Sequence, residues 1–269
     1  MSHPVYGSNV TKERLAGGID PVFDANNKQV LKQRLESTLS RILSAGEYSA
    51  LRRLIAEFRI SRNHRAGLRK VRRMSLSRPE RINLGSGRST KPGFLNIDME
   101  AGGDLTLDLR RGFPFESGCC ELILSEHFVE HVDYPDAACA LFRECLRILK
   151  PGGLLRFSVP DTEWPLNDYA KGGEAEYFRA CNENSWWHPS YCTTRLEHIN
   201  YHFRQEGKHR FAYDEETARK ALEGAGFHDV RRESFDPTLD SKHREVGSLI
   251  MSARKAPLPM ASVRPSSVD

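Results

Sequence analysis

Residues 81–100 read RINLGSGRSTKPGFLNIDME, and the fold of the chain turns on them. A short apolar strand, Ile82 to Leu84, runs into Gly85-Ser86-Gly87. A second strand, Phe94 to Ile97, ends in the carboxylate Asp98. Glycines directly after a strand let the backbone approach a ligand, because no Cβ intervenes. An acid at the tip of the next strand is placed to accept hydrogen bonds from both hydroxyls of a ribose. A glycine pair alone also serves a plain turn; with Asp98 it reads as a nucleoside-binding corner at the carboxyl edge of a parallel sheet. Only six residues separate Gly87 from Phe94, and Arg88-Ser89 occupy the place of a third glycine. A crossover helix needs about ten or more residues. No helix N-terminus can therefore face a pyrophosphate here. The corner suits a ligand with a ribose and no phosphate.

Working outward, Leu105 to Leu109 reads as a third short strand with Asp108 near its end, and Cys120 to Ser125 as a fourth. The fourth opens into Glu126-His127-Phe128-Val129-Glu130-His131. Ala138, Leu141, Phe142, Cys145, Leu146 and Leu149 recur at helical spacing between about Pro135 and Leu149. Lys150-Pro151-Gly152-Gly153 stops that helix, and Leu154 to Val159 is a fifth strand ending at Pro160-Asp161. Asp214-Glu215-Glu216 opens a helix that Gly224 and Gly226 end. Phe227 to Ser234 and Val246 to Ala253 read as a final antiparallel pair. Strands alternating with helices imply an α/β, doubly wound, mostly parallel seven-stranded sheet.

INLGSG, GFLNID, the acid of LTLDL, SEHFVEHV and the unit ending KPGGLLRFSVPD resemble, in order, the motifs of class I S-adenosylmethionine-dependent methyltransferases. The likeness spans about residues 79–255. Within that class the chain is similar to small methyltransferases associated with polysaccharide and glycolipid biosynthesis, both in its short first loop and in HRFAYDEETARKALEGAGF. It departs from the wider class at Asn83, where many members carry an acid, and at Ser89. The resemblance implies S-adenosyl-L-methionine as cofactor. It implies that Asn83, Gly85, Ser86 and Gly87 lie along the methionine part and that Asp98 holds the ribose hydroxyls. Asp108 and Leu109 would lie along the adenine, and Ser125 with Glu126 over the sulfonium end. Acids around a sulfonium cation are electrostatically sensible.

Between the fifth strand and Tyr213 the chain changes character. All three tryptophans, Trp164, Trp186 and Trp187, fall there with His188 and several tyrosines. Such insertions emerge at the carboxyl ends of the strands, where ligands bind. Residues 162–212 are therefore expected to form an acceptor-binding lid, with Trp164, Trp186, Trp187, His188 and Tyr213 as acceptor contacts. A satellite core is the plainer use of the same aromatic residues. Methyl transfer to a hydroxyl benefits from a base; Asp161 and His209 are the catalytic candidates. His198 and His202 stand four apart without a third ligand at recognisable spacing, so no metal is expected.

The 269 residues allow one domain plus an extension. Residues 1–80 hold 16 Lys or Arg against 7 Asp or Glu, whereas residues 81–269 hold 24 against 29. Residues 1–78 read as a basic helical extension: apolar residues recur at helical spacing from about Asn27 to Val71, with Gly46 as a break. The extension is expected to cover the sheet where the first crossover helix is missing. Its cluster Arg62, Arg65, Arg69, Lys70, Arg72 and Arg73 suits an anionic membrane surface. Nucleic acid fits less well, since no aromatic residue interleaves with these charges. Residues 256–269 read as a disordered tail. Six cysteines without a CxxC pair, no long apolar run and no secretory leader suggest a cytoplasmic protein with reduced thiols.

The expected function is O-methylation of a sugar, glycan or related small molecule. The alternatives are an RNA methyltransferase recruited by the basic extension and a non-catalytic cofactor-binding protein.

Overall fold

The computed structural model describes residues 30, 34, 37–39, 41–100, 102–173, 175–183 and 187–258. The expectations for the amino-terminal residues before 30, for Trp186 and for the tail beyond 258 lie outside the described residues. The chain divides into two compact units, Met1–Glu57 and Phe58–Asp269.

The sheet has seven strands in the order β3-β2-β1-β4-β5-β7-β6. They are β1 (Arg81–Leu84), β2 (Leu95–Asp98), β3 (Leu105–Thr106), β4 (Cys120–Glu126), β5 (Leu149–Pro160), β6 (His228–Arg232) and β7 (Ser248–Arg254). The first five pair in parallel, and β7 runs antiparallel between β5 and β6. Strand order reverses between β1 and β4. In open α/β sheets that reversal opens a crevice at the strands' carboxyl ends.

Helix α1 (Ala45–Arg73) precedes the sheet. Gly46 lies inside it, not at a break. The interruption falls at Leu43-Ser44, where Ser44 caps the helix reciprocally with Glu47, its N–H reaching Glu47 Oε2 at 2.8 Å. From Phe58 onward α1 packs against the β3 edge. A Cβ on Gly67 would stand 2.1 Å from the Thr106 carbonyl oxygen, so only glycine allows that approach. His64 Nδ1 accepts from the Asp108 N–H at 3.2 Å, and Lys70 Nζ donates to the Asp104 carbonyl at 2.6 Å. Val71 enters the main core, while Arg62, Arg65, Arg69, Arg72 and Arg73 remain exposed.

Ala138, Leu141, Phe142 and Cys145 of the face read from the sequence are buried in α2 (Asp136–Ile148) together with Ile148, whereas Leu146 is half-buried and Leu149 opens β5. Each large apolar side chain so buried contributes about 1.5–3 kcal/mol. The third strand is shorter than expected. Pairing stops at Thr106 because Asp108 turns the chain, its carboxylate accepting the Arg110 N–H at 3.2 Å and its carbonyl the Arg111 N–H at 3.1 Å. Conversely β5 begins at Leu149 and carries Pro151-Gly152-Gly153 within it. The register shifts there, and Gly152 takes φ of 78°.

The insertion after β5 forms α3 (Glu163–Lys171), α4 (Glu176–Glu183) and α5 (Arg195–Arg204) around a small core of Tyr177, Phe178, Cys181 and Ile199. Helix α6 (Glu215–Gly224) follows, with Asp214 as its N-cap. All six cysteines are free, and no described helix is long and apolar enough to cross a membrane.

Candidate functional site

The corner between β1 and β2 is held by side chains that replace the missing helix. Asn83 donates to the Ser89 carbonyl at 3.1 Å and to Asn96 Oδ1 at 3.0 Å. Asn96 Oδ1 also accepts the Lys91 N–H at 2.7 Å, and its amide reaches Asp104 Oδ2 at 2.9 Å. These bonds meet the backbone demands of a loop too short to meet them itself. Gly85 takes φ of 66°, and a Cβ there would sit 2.4 Å from the Phe128 side chain. Asp98 joins the loop directly: Oδ2 accepts the Gly87 N–H at 2.8 Å and Oδ1 the Glu100 N–H at 2.7 Å.

A cavity of about 230 Å³ opens over this corner. Asn83, Gly85, Ser86, Gly87 and Glu126 line it together, as expected from the sequence. Asp98 adjoins it through Gly87. Ser86 Oγ and Ser125 Oγ are buried without a hydrogen-bond partner, and each Asp98 oxygen keeps a free lone pair. Unsatisfied buried polar atoms around a glycine loop fit a polar ligand such as a nucleoside. Asp108, Leu109 and Ser125 do not line the cavity. Asp108 is buried and paired with Arg110 at 2.8 Å, and Leu109 faces the core. Glu126 is engaged from above: Lys91 Nζ lies 3.1 Å away, and Ser241 donates to it through both N–H and Oγ at 2.7 Å.

A second cavity, of about 270 Å³, lies beside the first. The two share His127, His243 and Arg244. Each alone falls short of the roughly 300 Å³ at which ligand pockets begin, whereas the pair enters that range. Trp187, His188 and His209 line the second cavity as expected, with Tyr177 and Tyr201. Trp164 does not line it. Trp164 belongs to the satellite core, crossing Tyr177 edge-on at 5.2 Å. Tyr213 is buried against Tyr134 and Phe211. The expected lid is thus both a packed core and a cavity wall.

The two catalytic candidates differ in what their reactive atoms meet. Asp161 Oδ1 accepts the Glu163 N–H at 2.9 Å, and Arg232 donates to Oδ2 at 2.8 Å; the residue does not line the cavity. His209 does. Its Nδ1 lies 2.8 Å from the His202 carbonyl, and a carbonyl can only accept, so Nδ1 carries the proton and Nε2 keeps a lone pair. Burial brings the imidazole down to about 4. His131 has the same tautomer, its Nδ1 donating to the Lys208 carbonyl at 3.0 Å. The two rings meet edge-on with centroids 5.1 Å apart.

Among the lining residues that sequence reasoning missed, Glu130, His127 and Arg244 have the most unusual surroundings. Both Glu130 oxygens are buried without a hydrogen-bond partner, and burial pushes its carboxyl up to about 8. His127 has φ of 49°, a conformation rare for a residue with a Cβ and concentrated at functional sites. Its Nε2 lies 2.8 Å from Ser248 Oγ and its Nδ1 lies 3.6 Å from Glu130. Arg244 reaches in from the β6–β7 connection, and burial lowers its guanidinium against the pull of Glu130 and Glu126. The doubled acid-histidine pattern of SEHFVEHV was the available signal. The burial of Glu130 was not readable from it.

The family model described as "Methyltransferase domain" matches residues 17–232. No curated protein matches the chain. Among solved structures, an S-adenosylmethionine-dependent methyltransferase from Mesorhizobium loti is 17% identical. The match covers 69% of this chain and 96% of that protein, with a TM-score of 0.39. A SAM-dependent methyltransferase from Archaeoglobus fulgidus is 16% identical, the match covering 71% and 94% with a TM-score of 0.37. The CurJ carbon methyltransferase is 15% identical with a TM-score of 0.38; the match covers 67% of this chain and spans only about half, 49%, of CurJ. With a family model matching most of its length, the chain belongs to the methyltransferase-domain family.

Proposed function

We propose that this methyltransferase moves a methyl group from S-adenosylmethionine to an oxygen of a sugar or glycan-like acceptor held under the lid. The observation that carries this reading is the shared wall of the two cavities. His127, His243 and Arg244 border both the glycine corner and the histidine-lined cavity, so ligands in the two would lie side by side. S-adenosylmethionine supplies the methyl, which passes to the acceptor oxygen as the carbon–sulfur bond breaks and its electron pair returns to sulfur.

The residues of the chain do the rest. Asp98 accepts the ribose hydroxyls with its remaining lone pairs, and the Gly85–Gly87 backbone lets the cofactor come close. Trp187 and Tyr201 line the acceptor cavity with aromatic surface suited to a sugar. His209 takes the hydroxyl proton at Nε2. Its lone pair is available above about pH 4, because burial disfavours the imidazolium. Asp161 is not assigned this role, since it does not line the cavity and is ion-paired with Arg232. Holding oxygen and methyl in line accounts for most of the acceleration.

The test uses S-adenosylmethionine with a labelled methyl and a panel of sugars and oligosaccharides, read by mass spectrometry. His209→Ala is expected to leave cofactor affinity unchanged in calorimetry while turnover falls by about 10²–10⁴. Trp187→Ala should raise the acceptor KM. A His209→Ala enzyme with full turnover would remove the imidazole from the reaction.

A further inference from the structure

The apolar core of the lid is small. Tyr177, Phe178, Cys181 and Ile199 are its only fully covered members among the described residues, with Trp164, Trp187 and Phe203 packed on them. Small modules with so little apolar burial are commonly stapled by a disulfide or a metal. Every cysteine here is free. A set of metal-binding side chains nevertheless converges inside the lid.

Cys181 on α4, His188 in the following loop and His198 on α5 are all buried, at 3%, 8% and 4% exposure. One donor atom from each lies within 4.8 Å of those from the other two. The two imidazoles face one another, Nδ1 to Nδ1, at 2.8 Å. Two ligands on a tetrahedral Zn²⁺ stand roughly 3.3 Å apart, given zinc–nitrogen distances of about 2.0–2.1 Å. A shift of a few tenths of an ångström would therefore admit the ion between them. Tyr177 Oη lies 3.4 Å from His188 Nε2. An outer partner there fixes the tautomer that leaves Nδ1 for a metal. The three residues are spaced Cys181-x6-His188-x9-His198. The Cys181 thiolate would offset half the charge of a divalent cation. His198 thus finds partners in Cys181 and His188, not in His202, whose Nδ1 meets Tyr177 Oη at 2.9 Å.

We infer that Cys181, His188 and His198 form a structural site for a thiophilic divalent cation of the zinc class, tying α4, the His188 loop and α5 into one lid. The site is separate from the cofactor corner and does not depend on the identity of the acceptor.

The full chain, purified under reducing conditions and stripped with a chelator, is titrated with Zn²⁺ and, separately, with Co²⁺. The expected result is one ion per chain by elemental analysis. Co²⁺ should give an intense thiolate-to-metal charge-transfer band, and the melting temperature should rise on reloading. Cys181→Ser and His198→Ala are each expected to weaken Zn²⁺ binding by about 100-fold or more, beyond the 10–100-fold that loss of an outer partner costs. His209→Ala, in the separate Glu130–His131–His209 cluster, should keep the ion. No uptake by the wild-type chain would overturn the site, as would a Co²⁺ spectrum without the thiolate band. So would loss of the ion in His209→Ala but not in His198→Ala. The wild-type Co²⁺ spectrum decides the matter even if a variant fails to fold.

Discussion

Glu130→Gln is expected to make the protein more stable than the wild type at alkaline pH and to flatten its stability profile. The Glu130 carboxyl is fully enclosed, both oxygens lack a hydrogen-bond partner, and burial pushes it up to about 8 from an ordinary 4.5. Arg244 pulls the other way but does not offset burial. A carboxyl raised in the folded state keeps its proton while the unfolded chain loses its own. Below about pH 4.5 both states are protonated and the group has no effect. Between about 4.5 and 8 it removes roughly 1.4 kcal/mol of stability per pH unit, and above that range the loss is complete. The whole effect is on the order of 4–5 kcal/mol. Urea unfolding of both proteins between pH 5 and 9 checks it. Parallel curves for variant and wild type would show that Glu130 is ionised in the folded protein and has a partner.

Asp240→Ala is expected to cost about 3–5 kcal/mol, the usual consequence of leaving a buried charge unpaired. Arg156 on β5 and Asp240 in the β6–β7 connection are both only 7% exposed. They meet through two parallel bonds, 2.9 Å from Nε and 2.5 Å from an Nη, and Arg156 also donates to the Ser234 carbonyl at 2.8 Å. The next residue, Ser241, holds Glu126, and Arg244 follows at the shared cavity wall. The pair therefore anchors the connection that roofs the cofactor corner. Denaturant unfolding should show the loss at unchanged m-value. Asp240→Asn, which keeps one acceptor, should retain part of it. A variant within about 0.5 kcal/mol of wild type, the range of ordinary surface changes, would mean that the roof is held elsewhere.

What the sequence made legible was local. Gly85, Gly87 and Asp98 sit within twenty residues of one another, and their chemistry is legible without the rest of the fold. The apolar face of α2 follows from its period. The Asp214 cap and the final antiparallel strands follow from signals equally close at hand. The roof was not legible, because Asp240, Ser241 and Arg244 read as an ordinary polar connection. Only Arg156, Glu126 and Glu130, more than eighty residues earlier, give them a role. Asp108 was misplaced for a related reason. Neighbouring Arg110 and Arg111 claim its carboxylate and turn the chain out of the third strand. Gly46 looked like a break because glycine disfavours helix, yet Ser44 and Glu47 start the helix just before it. His188 and Cys181 converge on His198 only once the lid has folded, a proximity that the one-turn spacing of His198 and His202 does not disclose.

The proposed function requires that the corner built by Gly85, Gly87 and Asp98 hold the ribose of S-adenosylmethionine. Calorimetric titration of the cofactor into the wild type and Asp98→Ala, with both folds verified by circular dichroism, tests it directly. Losing hydrogen bonds to a charged group costs about 1.5–3 kcal/mol, so affinity in the variant should fall roughly tenfold to a hundredfold. An Asp98→Ala protein that folds and binds the cofactor as tightly as the wild type would contradict the assignment of the pocket.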